Sequence, residues 1–187
     1  MDVQPHIDGH VDSTTFRRVL GHFCTGVTVI TAASPAGPVG FACQAFAALS
    51  LEPPLVLFCP GRASSTWRSI ERVGSFCVNV LSEEQQEVSR VFGTTGADKF
   101  AGVGWTPGPH GLPILEGVLT WVACVVEMVH EAGDHYVVVG RIKTLGEYKE
   151  GRPLLFYRGR YTVTEAPEGP PEVVDTLLAW PRHTDWM

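Results

Sequence analysis

The residues best suited to chemistry in this chain lie between Gly40 and Val73. In Pro60-Gly61-Arg62-Ala63-Ser64-Ser65 a guanidinium and two hydroxyls stand just ahead of Trp67, Ile70 and Val73, which recur at helical spacing until Gly74 closes the run. A helix start offers unpaired N–H groups and the positive end of its dipole. An arginine and hydroxyls placed there make a seat for a phosphate. A plainer assignment fits the same residues, with Ser64 or Ser65 as an N-cap and Arg62 as a solvated charge. Upstream, Gly40-Phe41 leads into Ala42 to Ala48, where nearly every side chain is small. Such a strip lets a flat ligand or another backbone approach closely, and tight strand packing explains it equally well. Lys99, in Asp98-Lys99-Phe100, and His135, at the end of His130-Glu131-Ala132-Gly133-Asp134-His135, are further candidates. Each on its own also reads as polar surface.

What is missing narrows the chemistry. No G-x-G-x-x-G follows a strand, and neither a phosphate-binding G-x-x-x-x-G-K-[ST] loop nor a G-x-S-x-G nucleophile elbow occurs. The five cysteines, Cys24, Cys43, Cys59, Cys77 and Cys124, are widely spaced without a C-x-x-C, so neither a zinc knuckle nor a dithiol pair is signalled and no metal is expected. Of the carboxylates, Glu127 alone sits inside an apolar strand, which speaks against acid–base hydrolysis. A net charge of −6 would repel a nucleic-acid backbone. An anion seat beside a strip of small residues suits a phosphorylated planar cofactor whose own ring does the chemistry.

The elements that must position these groups follow from local pattern. Asp12 or Ser13 caps a helix with apolar positions Phe16, Val19, Leu20 and Phe23. Val27–Thr31 and Val39–Phe41 form a hairpin across Ser34–Pro38, and Leu55–Cys59 reads as a strand buried on both faces behind Pro53 and Pro54. Ser75–Leu81 alternates as a strand; Ser82-Glu83-Glu84-Gln85 is a capping box opening a helix with Val88, Val91 and Phe92, which Gly93 ends. Thr94 to Pro113 reads as a long surface loop that lines or covers a site. Val118–Val129 and Tyr136–Leu145 are long strands joined by the turn that carries His135, and Pro153–Tyr157 reads as a last strand. Six or seven strands with short helices between them point to a mainly β protein, a closed antiparallel barrel.

At 187 residues the chain is expected to be one domain, with a core over about 14–163 and a Pro/Glu-rich tail over 164–187 bearing a short apolar helix at Val173, Val174, Leu177 and Leu178. The N-terminus lacks the basic start and apolar core of a signal peptide, and the longest apolar-rich run, Val118 to Val126, falls far short of the roughly 20 residues that span a bilayer. Unpaired cysteines in apolar strings fit a reducing cytoplasm, with no membrane partner.

Four stretches together carry a resemblance: Gly40-Phe41-Ala42-Cys43-Gln44-Ala45-Phe46; Ser50-Leu51-Glu52-Pro53-Pro54-Leu55-Val56; Gly133-Asp134-His135; and Pro153-Leu154-Leu155-Phe156-Tyr157-Arg158-Gly159-Arg160-Tyr161. In this order and spacing, over roughly residues 14 to 163, the chain resembles the short-chain NADH:flavin oxidoreductases, whose fold is the flavin-binding split β-barrel. Within that family it looks most like the reductase components of two-component monooxygenases that hydroxylate a secosteroid phenol in actinobacterial steroid breakdown. The resemblance implies that Gly40, Phe41, Ala42, Cys43, Gln44 and Ala45 line the flavin ring, with Gln44 where relatives often carry Asn, and that Cys59 lies beside them. It assigns the ribityl chain and phosphate of FMN or FAD to Ser50, Arg62, Ser64 and Ser65, and one side of the pocket to Phe92, Lys99 and Phe100. His135 becomes the catalytic candidate facing the nicotinamide of NADH, which Tyr157, Arg158 and Arg160 help to place; these two arginines would also suit the 2′-phosphate of NADPH. A homodimer and a separate flavin-dependent oxygenase are the partners so implied. A flavin-retaining oxidase of the pyridoxamine-phosphate type and a flavin-binding module without turnover are the competing readings.

Overall fold

The computed structural model describes residues 11–96 and 98–165; the helix expected at Val173–Leu178 lies outside them. In chain order the elements are α1 (Ser13–Leu20), β1 (Thr25–Gly26), β2 (Thr28–Ser34), β3 (Gly37–Cys43), β4 (Phe46–Leu51), β5 (Pro54–Phe58), α2 (Ser65–Val73), β6 (Ser75–Val80), α3 (Gln86–Gly93), β7 (Trp105–Pro107), β8 (Pro113–Leu115), β9 (Thr120–Ala132), β10 (His135–Leu145), β11 (Leu155–Tyr157) and β12 (Arg160–Thr162). Seven strands make one antiparallel sheet in the order β3-β2-β6-β9-β10-β5-β4, and smaller sheets are β1-β11-β12 and β7-β8.

Local signals account for most boundaries. Asp12 caps α1 by accepting from the N–H groups of Thr14 and Thr15, and Ser64 caps α2 by accepting from that of Trp67 at 3.1 Å. Gly74 ends α2 at φ 73°, the left-handed conformation that glycine adopts most easily. The capping box at Ser82 forms, its N–H donating to Gln85 Oε1 at 3.0 Å, and opens a short 3₁₀ turn that runs into α3. The hairpin of β2 and β3 turns on two residues, Pro35 and Ala36, and pairs Thr28 with Cys43 through Ser34 with Gly37.

The two edges of the large sheet belong to strands only two residues apart in sequence. β3 ends at Cys43, β4 begins at Phe46, and yet they lie at opposite ends of the seven-strand order. Gln44 and Ala45 can join them only if the sheet curls until its edges meet at that corner. Among the described residues no ladder links β3 to β4, so the expected closed barrel is corrected to a curled sheet with an open seam. Inside the curl Phe58, Trp67 and Phe76 pack edge to face, Phe58 to Phe76 at 4.9 Å and Phe58 to Trp67 at 5.6 Å, all with no exposed surface. Burying each stabilises the fold by about 1.5–3 kcal/mol or more. A second cluster gathers Val27, Leu81, Phe92, Phe100, Leu115 and Leu154 under α3.

Three further expectations are revised. The stretch from Thr94 to Pro113 is no simple surface loop: it contains β7, runs into β8, and buries Phe100 and Leu112. The terminal strand is a hairpin of β11 and β12 that pairs with β1. In β5 only Val56 and Phe58 are buried, so one face of that strand is core and the other half-covered.

Candidate functional site

A cleft of about 720 Å³ opens at the corner where the sheet edges converge, within the roughly 300–1,000 Å³ usual for small-molecule sites. One wall is the end of β3 and its link to β4: Phe41, Ala42, Cys43, Gln44 and Ala45. The floor is Cys59, Pro60 and Gly61 beyond β5, with His135 at the first position of β10. Ser89, Arg90, Gly93 and Thr94 from the second half of α3 and beyond, together with Phe156 and Tyr161, complete the lining. The outer edge of β3 carries no ladder among the described residues, although the carbonyls of Gly40, Cys43, Gln44 and Ala45 already accept from Lys99, Thr28, Phe46 and Cys59. Small side chains, an unladdered strand edge and nearby aromatic side chains fit a planar heteroaromatic ring.

The titratable groups of the cleft have assignable states. Asp134 and His135 are joined by a 2.7 Å contact between Oδ1 and Nδ1, and that partner holds the Asp134 carboxyl below its ordinary range. An ionised carboxylate only accepts, so Nδ1 carries the hydrogen and Nε2 is left for the cleft. Burial pushes the Cys43 thiol up to about 11 and raises that of Cys59 as well, so both stand as neutral thiols in the lining of the cleft. Glu127 is no poised acid: it is exposed, and its hydrogen bond from Arg141 holds its carboxyl below the usual range.

Other candidates lie elsewhere. Gly40, Ser65, Lys99 and Phe100 surround a smaller neighbouring cavity of about 290 Å³, farther along β3. Lys99 Nζ donates to the carbonyls of Gly40 (3.2 Å) and Phe92 (3.1 Å), and partial burial holds its pKa below the ordinary lysine value. Phe92 is buried at 1% exposure, beneath Gly40 and edge to face with Phe100 at 5.0 Å; it supports the cavity from the core. Ser50, in β4, lines neither cavity, and Ser64 is the helix cap. Arg62 also lines neither; its guanidinium turns to Glu131 and Gly133 in the β9–β10 turn. Tyr157, Arg158 and Arg160 sit at the β11–β12 turn against the end of α1, where the Arg158 N–H donates to the Gly21 carbonyl at 2.8 Å and Tyr157 meets His22 edge to face. That hairpin gives the cleft Phe156 and Tyr161 instead.

Sequence reasoning missed the α3 wall. Ser89 bonds the Tyr161 hydroxyl at 2.9 Å, and Arg90 lies 5.8 Å from the Tyr161 ring centroid while pairing with Glu87. A basic residue in the last turn of a helix is an ordinary partner of the helix dipole, so no local signal marks Arg90 as a wall of a cleft.

This arrangement defines a class: a curled β-sheet with a ring-sized slot at its seam. The chain belongs to the flavin reductase like domain family, whose model matches residues 20–165. It is 58% identical over 181 residues to the flavin-dependent monooxygenase reductase subunit HsaB of Rhodococcus jostii (strain RHA1), a match covering 95% of this chain and 93% of that one. Among solved structures, nitrilotriacetate monooxygenase component B from Mycobacterium thermoresistibile aligns with a TM-score of 0.82 at 54% identity, covering 90% of this chain and 96% of its own. The NADH:FAD oxidoreductase SgcE6 of Streptomyces globisporus C-1027, in complex with NAD and FAD fragments, aligns with a TM-score of 0.79 at 32% identity, covering 85% and 96%.

Proposed function

We propose that this protein is an NADH-dependent flavin reductase that supplies reduced FMN or FAD to a separate flavin-dependent oxygenase. The observation that carries this is the cleft at the seam, with the small-residue strip on one wall and His135 at its floor, in a chain of this family. The meeting of the two sheet edges at Gln44–Ala45 supports reading the fold as a split barrel. The likeness to reductase components of steroid-degrading monooxygenases suggests an oxygenase of that kind as the recipient.

When bound, the flavin ring supplies the redox chemistry by accepting a hydride from NADH. The chain supplies position. The unladdered edge of β3 at Phe41–Cys43, with its link Gln44–Ala45, orients the ring, and Cys59, Phe156 and Tyr161 enclose it. The hydroxyl of Ser65, which lines the neighbouring cavity, and that of Ser64 beside it at the start of α2 are the proposed holders of the ribityl chain and phosphate. Through Nε2 His135 holds a hydrogen bond or proton at the nicotinamide side, and Asp134 keeps its other nitrogen protonated. Tyr157, Arg158 and Arg160 are proposed to meet the dinucleotide beyond the cleft. No strong acid or base is needed, since hydride transfer depends on proximity and orientation. A shallow slot suits a flavin that must leave, and we propose a homodimer as the working form.

Mixing the protein with NADH and excess FMN, and following NADH absorbance, tests this reading. Flavin-dependent oxidation at many turnovers supports it. Turnover that requires an amine substrate on retained FMN would favour an oxidase, and tight binding without turnover a flavin-binding module. His135→Ala is expected to lower kcat/KM for NADH by about 10- to 100-fold while leaving flavin affinity within about twofold. Equal loss for NADH and flavin would remove His135 from its assigned place.

A further inference from the structure

Arg62 is committed to the hairpin that carries His135. Its Nη1 lies 3.2 Å from Glu131 Oε2 and donates to the Gly133 carbonyl at 3.5 Å, and its guanidinium carbon sits 5.6 Å from the centroid of the Tyr136 ring. The backbones run the same way. The Arg62 N–H donates to the Asp134 carbonyl at 2.9 Å, the Tyr136 N–H donates to the Pro60 carbonyl at 2.9 Å, and Gly61 bridges His135. All these contacts fall on residues 131–136. The ladder between β10 and β5 begins only at Val138, so on that side the hairpin tip is held by the segment Pro60–Arg62.

We propose that Arg62 is a positioning residue that, paired with Glu131, clamps the β9–β10 tip to the β5–α2 loop and so sets where His135 stands at the cleft. This rests on the flavin-reductase reading, and it replaces the phosphate contact that resemblance assigned to Arg62. The two roles separate cleanly, because riboflavin has the same ring as FMN without the phosphate. A phosphate ligand acts only on FMN and needs no Glu131; a clamp acts on both flavins alike and needs it.

The test compares Arg62→Ala, Glu131→Gln and the charge-swapped pair Arg62→Glu with Glu131→Arg, assayed for NADH oxidation with FMN and with riboflavin. Each single change should raise KM for NADH about two- to fivefold, the range that loss of an exposed ion pair allows, equally with either flavin. FMN affinity should stay within about twofold, and the swap should restore at least half of the loss. Weaker FMN binding in Arg62→Ala with riboflavin unaffected and Glu131→Gln silent would overturn the clamp in favour of a phosphate ligand. No effect in either single variant would overturn it too. If the unaltered protein fails to oxidise NADH with any flavin, the reductase reading falls. The clamp then stands or falls on amide exchange at Tyr136, expected to be faster in Arg62→Ala and unchanged if the clamp is absent.

Discussion

Gly40 shows what a single position can demand. It pairs with Thr31 in β2 and lies over Phe92; a Cβ built there would come within 2.8 Å of Phe92 Cε1 and 2.9 Å of the Ile30 carbonyl. The second contact is backbone and cannot rotate away. Gly40→Ala should therefore destabilise the fold by about 1–3 kcal/mol, read from the midpoint of urea unfolding. A change under about 0.5 kcal/mol would mean that the core beneath β3 yields more readily than its packing suggests. Glycine was legible here as the head of a small-residue strip. Its reason was not, since Phe92 lies 52 positions away in sequence.

Among the elements, β8 is the one whose attachment no local pattern announces. Asn79, fully buried in β6, donates through Nδ2 to the Val29 carbonyl at 3.2 Å and to Thr31 Oγ1 at 3.0 Å. Its Oδ1 accepts from the Leu115 N–H at 2.9 Å, while Thr31 Oγ1 donates to the Pro113 carbonyl at 2.6 Å. One amide thus pins β8 across β6 and β2. Asn79→Leu strands the Leu115 N–H and should cost about 1–3 kcal/mol, with amide exchange at Leu115 accelerating before that of β6. Uniform acceleration of both strands would show that β8 and β6 open as one unit. The alternation of Ser75–Leu81 was enough to predict the strand, and Asn79 read there as one of its two faces. That this face is also covered, by β8 at the end of the stretch Thr94–Pro113 expected as surface loop, is a fact of the assembled chain.

At the scale of the whole molecule, α1 keeps the amphipathic stripe its sequence promised but presents it outward. Phe16, Val19 and Leu20 are 53%, 58% and 53% exposed, no residue of α1 is buried, and Phe23, expected in the helix but lying beyond its end at Leu20, is 78% exposed. A helix capped by Asp12 with an apolar face this open suits the proposed homodimer. Val19→Asp combined with Phe23→Asp should shift the assembly to monomers in size-exclusion chromatography with light scattering. Dimers that survive both changes would place the interface on another surface, and monomers before any change would end the dimer proposal.

The sequence by itself determined what depends on neighbours a few residues apart: a cap at Asp12 or Ser13, another at Ser64 or Ser65, the capping box at Ser82, the stop at Gly74, the hairpins of β2 with β3 and β9 with β10, and the small-residue strip Ala42–Ala48. Each follows from hydrogen bonds or side-chain spacing within one turn or one hairpin. Its likeness to a family carried the flavin reading further than any single motif. Only the tertiary structure decided that Gln44 shares one cleft with Arg90 and Tyr161, that Arg62 turns to Glu131, and that the sheet leaves a seam between β3 and β4. Those outcomes depend on strand order and curl, which bring together residues tens of positions apart, and spacing along the chain holds no record of which distant edge will meet which.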